Sequence, residues 1–417
     1  MVKDLIMHRF LGWAVALLAL TLSCNKIPGI PDPEEGLPPF PKAEHEIDAV
    51  PLTRAEQGFV QAGNAFAWRL TNTVWENSEK RSMIISPLSV QFALGMLGNG
   101  AGAQIASQFA EVLGYEGTDA INEFCAKLIE TLPQVDTSIT LALADGVLVN
   151  DKFTLKAPFK SAVQTHYDAL VESMSFSNDQ AVMKYVNDWC EKHTYGRIKD
   201  VLKEVDPLAI MYIMNAIFFH ADWTIPFDGA KTKSEDFRTL AGNSVKVGMM
   251  HQTLDASYGE NEFGQAVNLR YGNGKYVLTL YLPKENDGLK TLPDASQLPY
   301  PFEHCHVILS LPRFKTESTV EMKSLLASMG LPIFGYSELI ERGSADISKV
   351  IHKANITVNE TGTEAAAVTV IEMRYTSSAG PTHEPRTVTF TADHPFLYTI
   401  SEITSGAILF TGVYTGE

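Results

Sequence analysis

The chain has 417 residues, 45% of them hydrophobic and 20% charged, with a formal net charge of -16. That length allows one large mixed domain with a substantial core. The negative balance repels phosphate backbones and argues against a nucleic-acid partner, and four scattered cysteines give no disulfide framework.

At the start, Lys3 and Arg9 precede an apolar run from Phe10 to Leu22 that ends at Ser23-Cys24. The run is too short for a spanning helix and has the layout of an export signal, assigned to residues 1–23. A cysteine directly after a small residue resembles a bacterial lipoprotein cleavage site, with Cys24 lipidated as the mature N-terminus, although Thr21 stands where Leu is usual. The protein is then lipid-anchored to the bacterial cell envelope (outer membrane), touching the membrane through the anchor only. An ordinary signal and a secreted protein is the alternative. Residues 24–58, with Pro28, Pro31, Pro33, Pro38, Pro39 and Pro41, read as an extended Pro/Glu-rich tether, and residues 59–417 as the folded domain.

In the body, Ile84-Ile85 ends a short strand. Ser86-Pro87 then supplies an N-cap and a proline at the first helical position, and Gly98-Asn99-Gly100 stops the helix. Helical patterns dominate up to about Lys199, with one strand-like run at Leu141 to Val149. Afterwards β-branched and aromatic runs take over, at Tyr276 to Leu282, Val307 to Leu311, Ile356 to Val358, Phe396 to Ile400 and Ala407 to Val413. Strands grouped apart from helices indicate an α+β fold.

Catalytic and cofactor motifs are missing: there is no Gly-x-Ser-x-Gly elbow, His-Glu-x-x-His pair, Cys-x-x-Cys or Walker loop. No cofactor is expected, and the chain is read as a non-enzyme. His304 and His306 share a strand parity at which two metal ligands could meet, but a third is not evident nearby. They are read as surface histidines, with no metal site.

The most unusual stretch runs from Glu360 to Arg374. One strand parity carries Thr363, Ala365, Ala367, Thr369, Ile371 and Met373, small or apolar throughout, while the other carries Glu364, Glu372 and Arg374. Three consecutive alanines, Ala365 to Ala367, give up the packing that Val or Ile would supply in a strand. Small leading residues suit a segment that slides between existing strands, with Gly362 as a pivot in front of it.

This stretch, Glu-x-Gly-Thr-Glu-Ala-Ala-Ala at Glu360 to Ala367, together with FTADHPFLYTI at Phe390 to Ile400, resembles the serpins, inhibitors with a mobile reactive loop. Further blocks resemble the same family: NAFAWRL from Asn64, the segment from Met83, VNDWCEKHTYGRI from Val186, NAIFFHADWTIPFD from Asn215 and VIHKANITVNE from Val350.

The resemblance implies a fold of three β-sheets with about nine helices and an exposed reactive loop. It implies an irreversible suicide-substrate inhibitor of serine endopeptidases, with papain-like cysteine proteases as a second target class. The partner is a target endopeptidase held as a covalent acyl-enzyme, and the inhibitor is a monomer. Glu360, Gly362, Thr363, Glu364, Ala365, Ala366, Ala367 and Thr369 would form the hinge. Ser86, Ser89, Asn215 and His352 would form a polar cluster beneath the main sheet, and Trp223 would stand where the loop enters. Family spacing puts the reactive bond at Thr376-Ser377, with Arg374 and Tyr375 as alternatives, because the stretch before Phe390 is about eight residues longer than the family pattern.

Overall fold

The computed structural model describes residues 45–115, 117–285, 288–294, 297–363 and 385–417, together with Ala43. Six helices occupy the first half: α1 (Arg54–Glu76), α2 (Pro87–Gly98), α3 (Ala103–Leu113), α4 (Thr118–Thr131), α5 (Ala157–Tyr167) and α6 (Asp179–His193). A short α7 (Lys323–Ser328) follows much later. The first strands are β1 (Met83–Ile85), β2 (Thr140–Asn150), β3 (Leu170–Met174) and β4 (Met211–Asp222). Then come β5 (Lys233–Arg238), β6 (Ser244–Glu260), β7 (Gly264–Tyr271), β8 (Tyr276–Pro283), β9 (Glu303–Pro312) and β10 (Phe314–Glu321). The last are β11 (Ile351–Val358), β12 (Gly362–Thr363), β13 (Thr387–Thr391), β14 (Phe396–Glu402) and β15 (Ile408–Tyr414).

The described residues thus hold seven α-helices and two 3₁₀ turns, where about nine helices were expected. They form two hydrogen-bonded sheets. One has six strands in the order β10-β11-β12-β4-β2-β3; the other has nine, in the order β1-β15-β14-β8-β7-β6-β9-β13 with β5 on β6. Four register pairs, Ser257–Glu260 against Gln265–Asn268, join the β7 side of the larger sheet to the β6 side. The expected three sheets are therefore present as one separate sheet and two joined halves.

Helix α1 starts earlier than residue 59, the expected edge of the domain. Thr53 caps it, accepting from the Glu56 amide while the Glu56 carboxylate accepts from the Thr53 amide. Val50 is buried, and the Ile47 amide donates to the Gln134 carbonyl at 3.0 Å. The last residues assigned to the tether belong to the body, because a capped helix and a buried valine tie them down.

Helix α2 sets the geometry that matters most. It begins at the expected cap, Ser86, whose hydroxyl accepts from the Ser89 amide, with Pro87 next. Its residues are buried on nearly every side, as expected of a helix packed against both β4 and β15.

Several strands carried too weak a signal to be read in sequence. β10 alternates buried Phe314 and Thr316 with exposed Lys315 and Glu317, and lies at the rim of its sheet. β3 is a rim strand as well, mostly open to solvent. Rim strands bury little, so their composition stays polar.

Candidate functional site

The C-terminal end of β11 turns through Asn359 to Thr361 and returns as β12. The Asn359 side-chain oxygen holds this turn, accepting from the Thr361 amide at 3.0 Å, the Thr361 hydroxyl at 2.7 Å and the Gly362 amide at 3.2 Å. Thr363 is then in register with Val358 on one side and Ala221 on the other, both antiparallel. Two residues thus stand as a strand in the middle of the sheet. Among the described residues, β4 and β11 are linked in register only through them.

Gly362 is needed for closeness rather than for swivel. Its φ lies outside the left-handed region, but a Cβ there would collide with the carbonyl oxygen of Ala221 and sit 2.6 Å from the Asp222 Cα. Thr363 is buried, 2% exposed, with its hydroxyl 2.6 Å from the Tyr271 hydroxyl. Glu360 is also buried. Both of its oxygens accept from Arg313 Nε at 2.6 Å, and the Thr232 hydroxyl donates to it as well. Its carbonyl accepts from the Phe227 amide at 2.8 Å.

Trp223 packs against the same turn. Its indole Nε1 donates to the Asn359 carbonyl at 2.8 Å, its amide donates to the Thr361 carbonyl at 2.8 Å, and its ring stacks on Tyr271 at 4.4 Å. Glu364, Ala365, Ala366, Ala367 and Thr369 of the hinge lie outside the described residues. So do Arg374, Tyr375, Thr376, Ser377 and Cys24.

Lower in the sheet, four residues from three distant stretches of the sequence come together. The Ser86 amide donates to His352 Nε2 at 2.9 Å, and the Ser86 hydroxyl donates to the Leu409 carbonyl at 2.7 Å. The Ser89 hydroxyl donates to the Asn215 side-chain oxygen, and Asn215 Nδ2 donates to Asp145 Oδ1 at 2.7 Å. This relay ties β11 to α2, α2 to β4, and β4 to β2. His352 accepts at Nε2, so its proton sits on Nδ1, and burial pushes its pKa down to about 4.

Among the described residues no three His, Cys, Asp or Glu side chains, at His304 and His306 or elsewhere, are placed together to bind an ion. His306 Nδ1 instead lies 2.9 Å from Asp255 Oδ1 at the surface. Cys125, Cys190 and Cys305 are free and buried.

Asn359, Tyr271, Arg313, Thr232 and Asp145 complete this arrangement and were not singled out in sequence. Asn359 lies inside the block from Val350, so its turn chemistry was the one local signal available. The others enter through strand pairing that no single-chain pattern encodes.

A mixed α+β body whose central sheet takes up a returning segment between two of its own strands defines a strand-accepting fold. Residues 61–416 match the family model described as Serpin (serine protease inhibitor), so the chain belongs to that family. It is 31% identical to Serpin-Z2B of Triticum aestivum, covering 83% of this chain and 93% of that one. It is likewise 31% identical to Ipis-1 of Ixodes persulcatus, covering 79% and 91%. Among solved structures, Serpin48 of Tenebrio molitor superposes with a TM-score of 0.77 at 27% identity, covering 88% of this chain and all of that one. The thermophilic serpin tengpin in its native state gives 0.75 at 27% identity, covering 90% and 97%.

Proposed function

We propose that the chain inhibits serine endopeptidases as a suicide substrate, with papain-like cysteine proteases as a second target class. The carrying observation is β12. A strand that has begun between β11 and β4 has ladder partners waiting below it, since β4 continues from His220 to Met211 and β11 from Thr357 to Ile351. A protease that cuts the loop near Thr376-Ser377 forms an acyl-enzyme with its own nucleophile. The freed segment extends β12 as a central strand and carries the tethered enzyme with it. Fourteen residues at about 3.3 Å each give roughly 46 Å of travel.

The inhibitor supplies no catalytic group; it supplies conformational free energy. Small residues from Ala365 to Ala367 speed entry, and the race between insertion and hydrolysis decides the outcome. Family members need not inhibit: thyroxine-binding globulin superposes with a TM-score of 0.76 at 25% identity. The small, uncharged inward parity of the hinge favours inhibition here.

Residues 1–23 act as an export signal and residues from Cys24 as a lipid-anchored tether in a bacterial envelope, with secretion as the alternative; this rests on the residues themselves. No helix among the described residues is long and apolar enough to cross a membrane. The inhibitor works as a monomer.

Mixing the purified chain with a panel of serine and cysteine proteases tests the reading. A covalent adduct that survives a denaturing gel is expected with at least one enzyme, and mass spectrometry of the released C-terminal fragment identifies the cut bond. Cleavage of the loop by every enzyme without any adduct would overturn it.

A further inference from the structure

The relay beneath the sheet ends on a group that the family motifs did not point to. Asp145, on β2, is fully enclosed and in register with Asn215 on β4. One carboxyl oxygen accepts from Asn215, while the other, Oδ2, is buried with no hydrogen-bond partner. Asn215 in turn lines a cavity with Ser89, Met211 and His352 that lies between β4, α2 and the start of β11. At this cavity β4 and β11 have no register pairing among the described residues, so a wider parting of the two strands leads water to Asn215, and Asn215 is bonded to Asp145.

We propose that Asp145 is a proton-controlled latch on the opening of the six-stranded sheet: its neutral form fits the sheet as it stands, and its ionised form favours a wider parting of β4 from β11. An orphaned carboxylate oxygen in a dry interior is strongly disfavoured, whereas a carboxylic acid is far less so. Burial therefore raises the Asp145 pKa to about 7, against the counteracting bond from Asn215 and with help from the negative charge of Asp168. From α4 and α5, Cys125 and Tyr167 also face it, and burial keeps both neutral. Across the relay stands His352, also neutral.

Hydration in the opened sheet returns Asp145 toward the ordinary 3.8. Opening then releases a proton, so the opened population grows as pH rises toward about 7 and levels off above it. His352 has the opposite sign, since its pKa rises from about 4 toward 6.5 on opening and favours opening in acid. Between about pH 4 and about pH 6.5 the two opposite slopes nearly cancel, so the net growth of the opened population is confined to the range above about pH 6.5. The consequence for insertion speed rests on the inhibitory reading, but the opening itself is measurable without a protease.

The test is backbone hydrogen exchange in β4 and β11 of the full chain, corrected for intrinsic exchange, for wild type and Asp145→Asn. Asparagine keeps an acceptor for Asn215 and cannot ionise. The wild-type to variant ratio of opening is expected to rise up to about tenfold between about pH 6 and about pH 8, with His352 cancelling in the ratio. A flat ratio overturns the latch. Should the variant fail to fold, infrared spectroscopy of wild type decides: a protonated carboxyl band that fades near neutral pH supports the proposal, and a buried carboxyl signal that does not titrate between about pH 5 and about pH 8 overturns it. Absence of protease adducts alongside a pH-dependent ratio would remove the inhibitory reading and leave the latch standing.

Discussion

The hydroxyls of Tyr271 and Thr363 lie 2.6 Å apart in a buried pocket, one from the nine-stranded sheet and one from the first inserted strand. Thr363 is therefore held in the six-stranded sheet of the intact chain, in register with Val358 and Ala221.

Thr363→Arg tests this seating. A guanidinium cannot occupy a position that is 2% exposed without losing its hydration, so β12 is expelled rather than slowed at entry. The variant is expected to be cleaved by the target protease without forming an adduct. Adduct formed at undiminished yield would refute the seated hinge. Tyr271→Phe leaves the Thr363 hydroxyl without a partner and is expected to cost about 1–2 kcal/mol in a denaturant titration.

Arg313→Met removes the cation that grips Glu360. The carboxylate is then left buried with Thr232 and backbone contacts only, which is expected to destabilise the intact protein by about 3 kcal/mol. A midpoint in urea equal to that of wild type would show that the pair is solvated in solution.

Gly362→Ala forces a methyl group against the Ala221 carbonyl. The strand pair must part, and a loss of about 1–3 kcal/mol is expected, with faster proteolysis after Asn359. Unchanged thermal unfolding would mean that β12 does not sit against β4 in the intact protein.

His352 contributes a pH-dependent part of the stability. Its folded pKa lies at about 4, below the ordinary 6.5, because burial disfavours the charged ring. Unfolding in that window takes up a proton, so stability is fully present above about pH 6.5 and is lost as pH falls toward about 4, by about 3 kcal/mol at the acid end. The difference between wild type and His352→Gln, in which the opposing Asp145 slope cancels, is expected to fall with acidification across that window. Chemical denaturation at successive pH values measures it.

Cleavage of the loop is expected to raise the melting temperature well above that of the intact chain, since a new central strand adds a ladder on both sides. Calorimetry before and after nicking measures the gain. Equal temperatures would count against a strained native state.

Much of this site was legible in sequence because its signals are local. Ser86 caps a helix whose next residue is proline, and that cap is present. Asn215 and His352 sit inside recognisable blocks, and the tertiary structure joins both to the Ser86–Ser89 turn. The parity of small residues after Gly362 is an expectation from strand alternation alone, and beyond Thr363 it lies outside the described residues.

Tertiary structure alone decided which groups meet. Asp145 lies seventy positions from Asn215 in the chain, and only the antiparallel register of β2 with β4 sets them opposite each other. Arg313 reaches Glu360 at the end of the β10–β11 pair, and Tyr271 reaches Thr363 from one sheet to the other, through pairings that no local pattern records. The order of residues settles caps, turns and strand parity because those depend on neighbours a few bonds away. It leaves open which distant strands lie side by side, because that depends on the packing of the whole core.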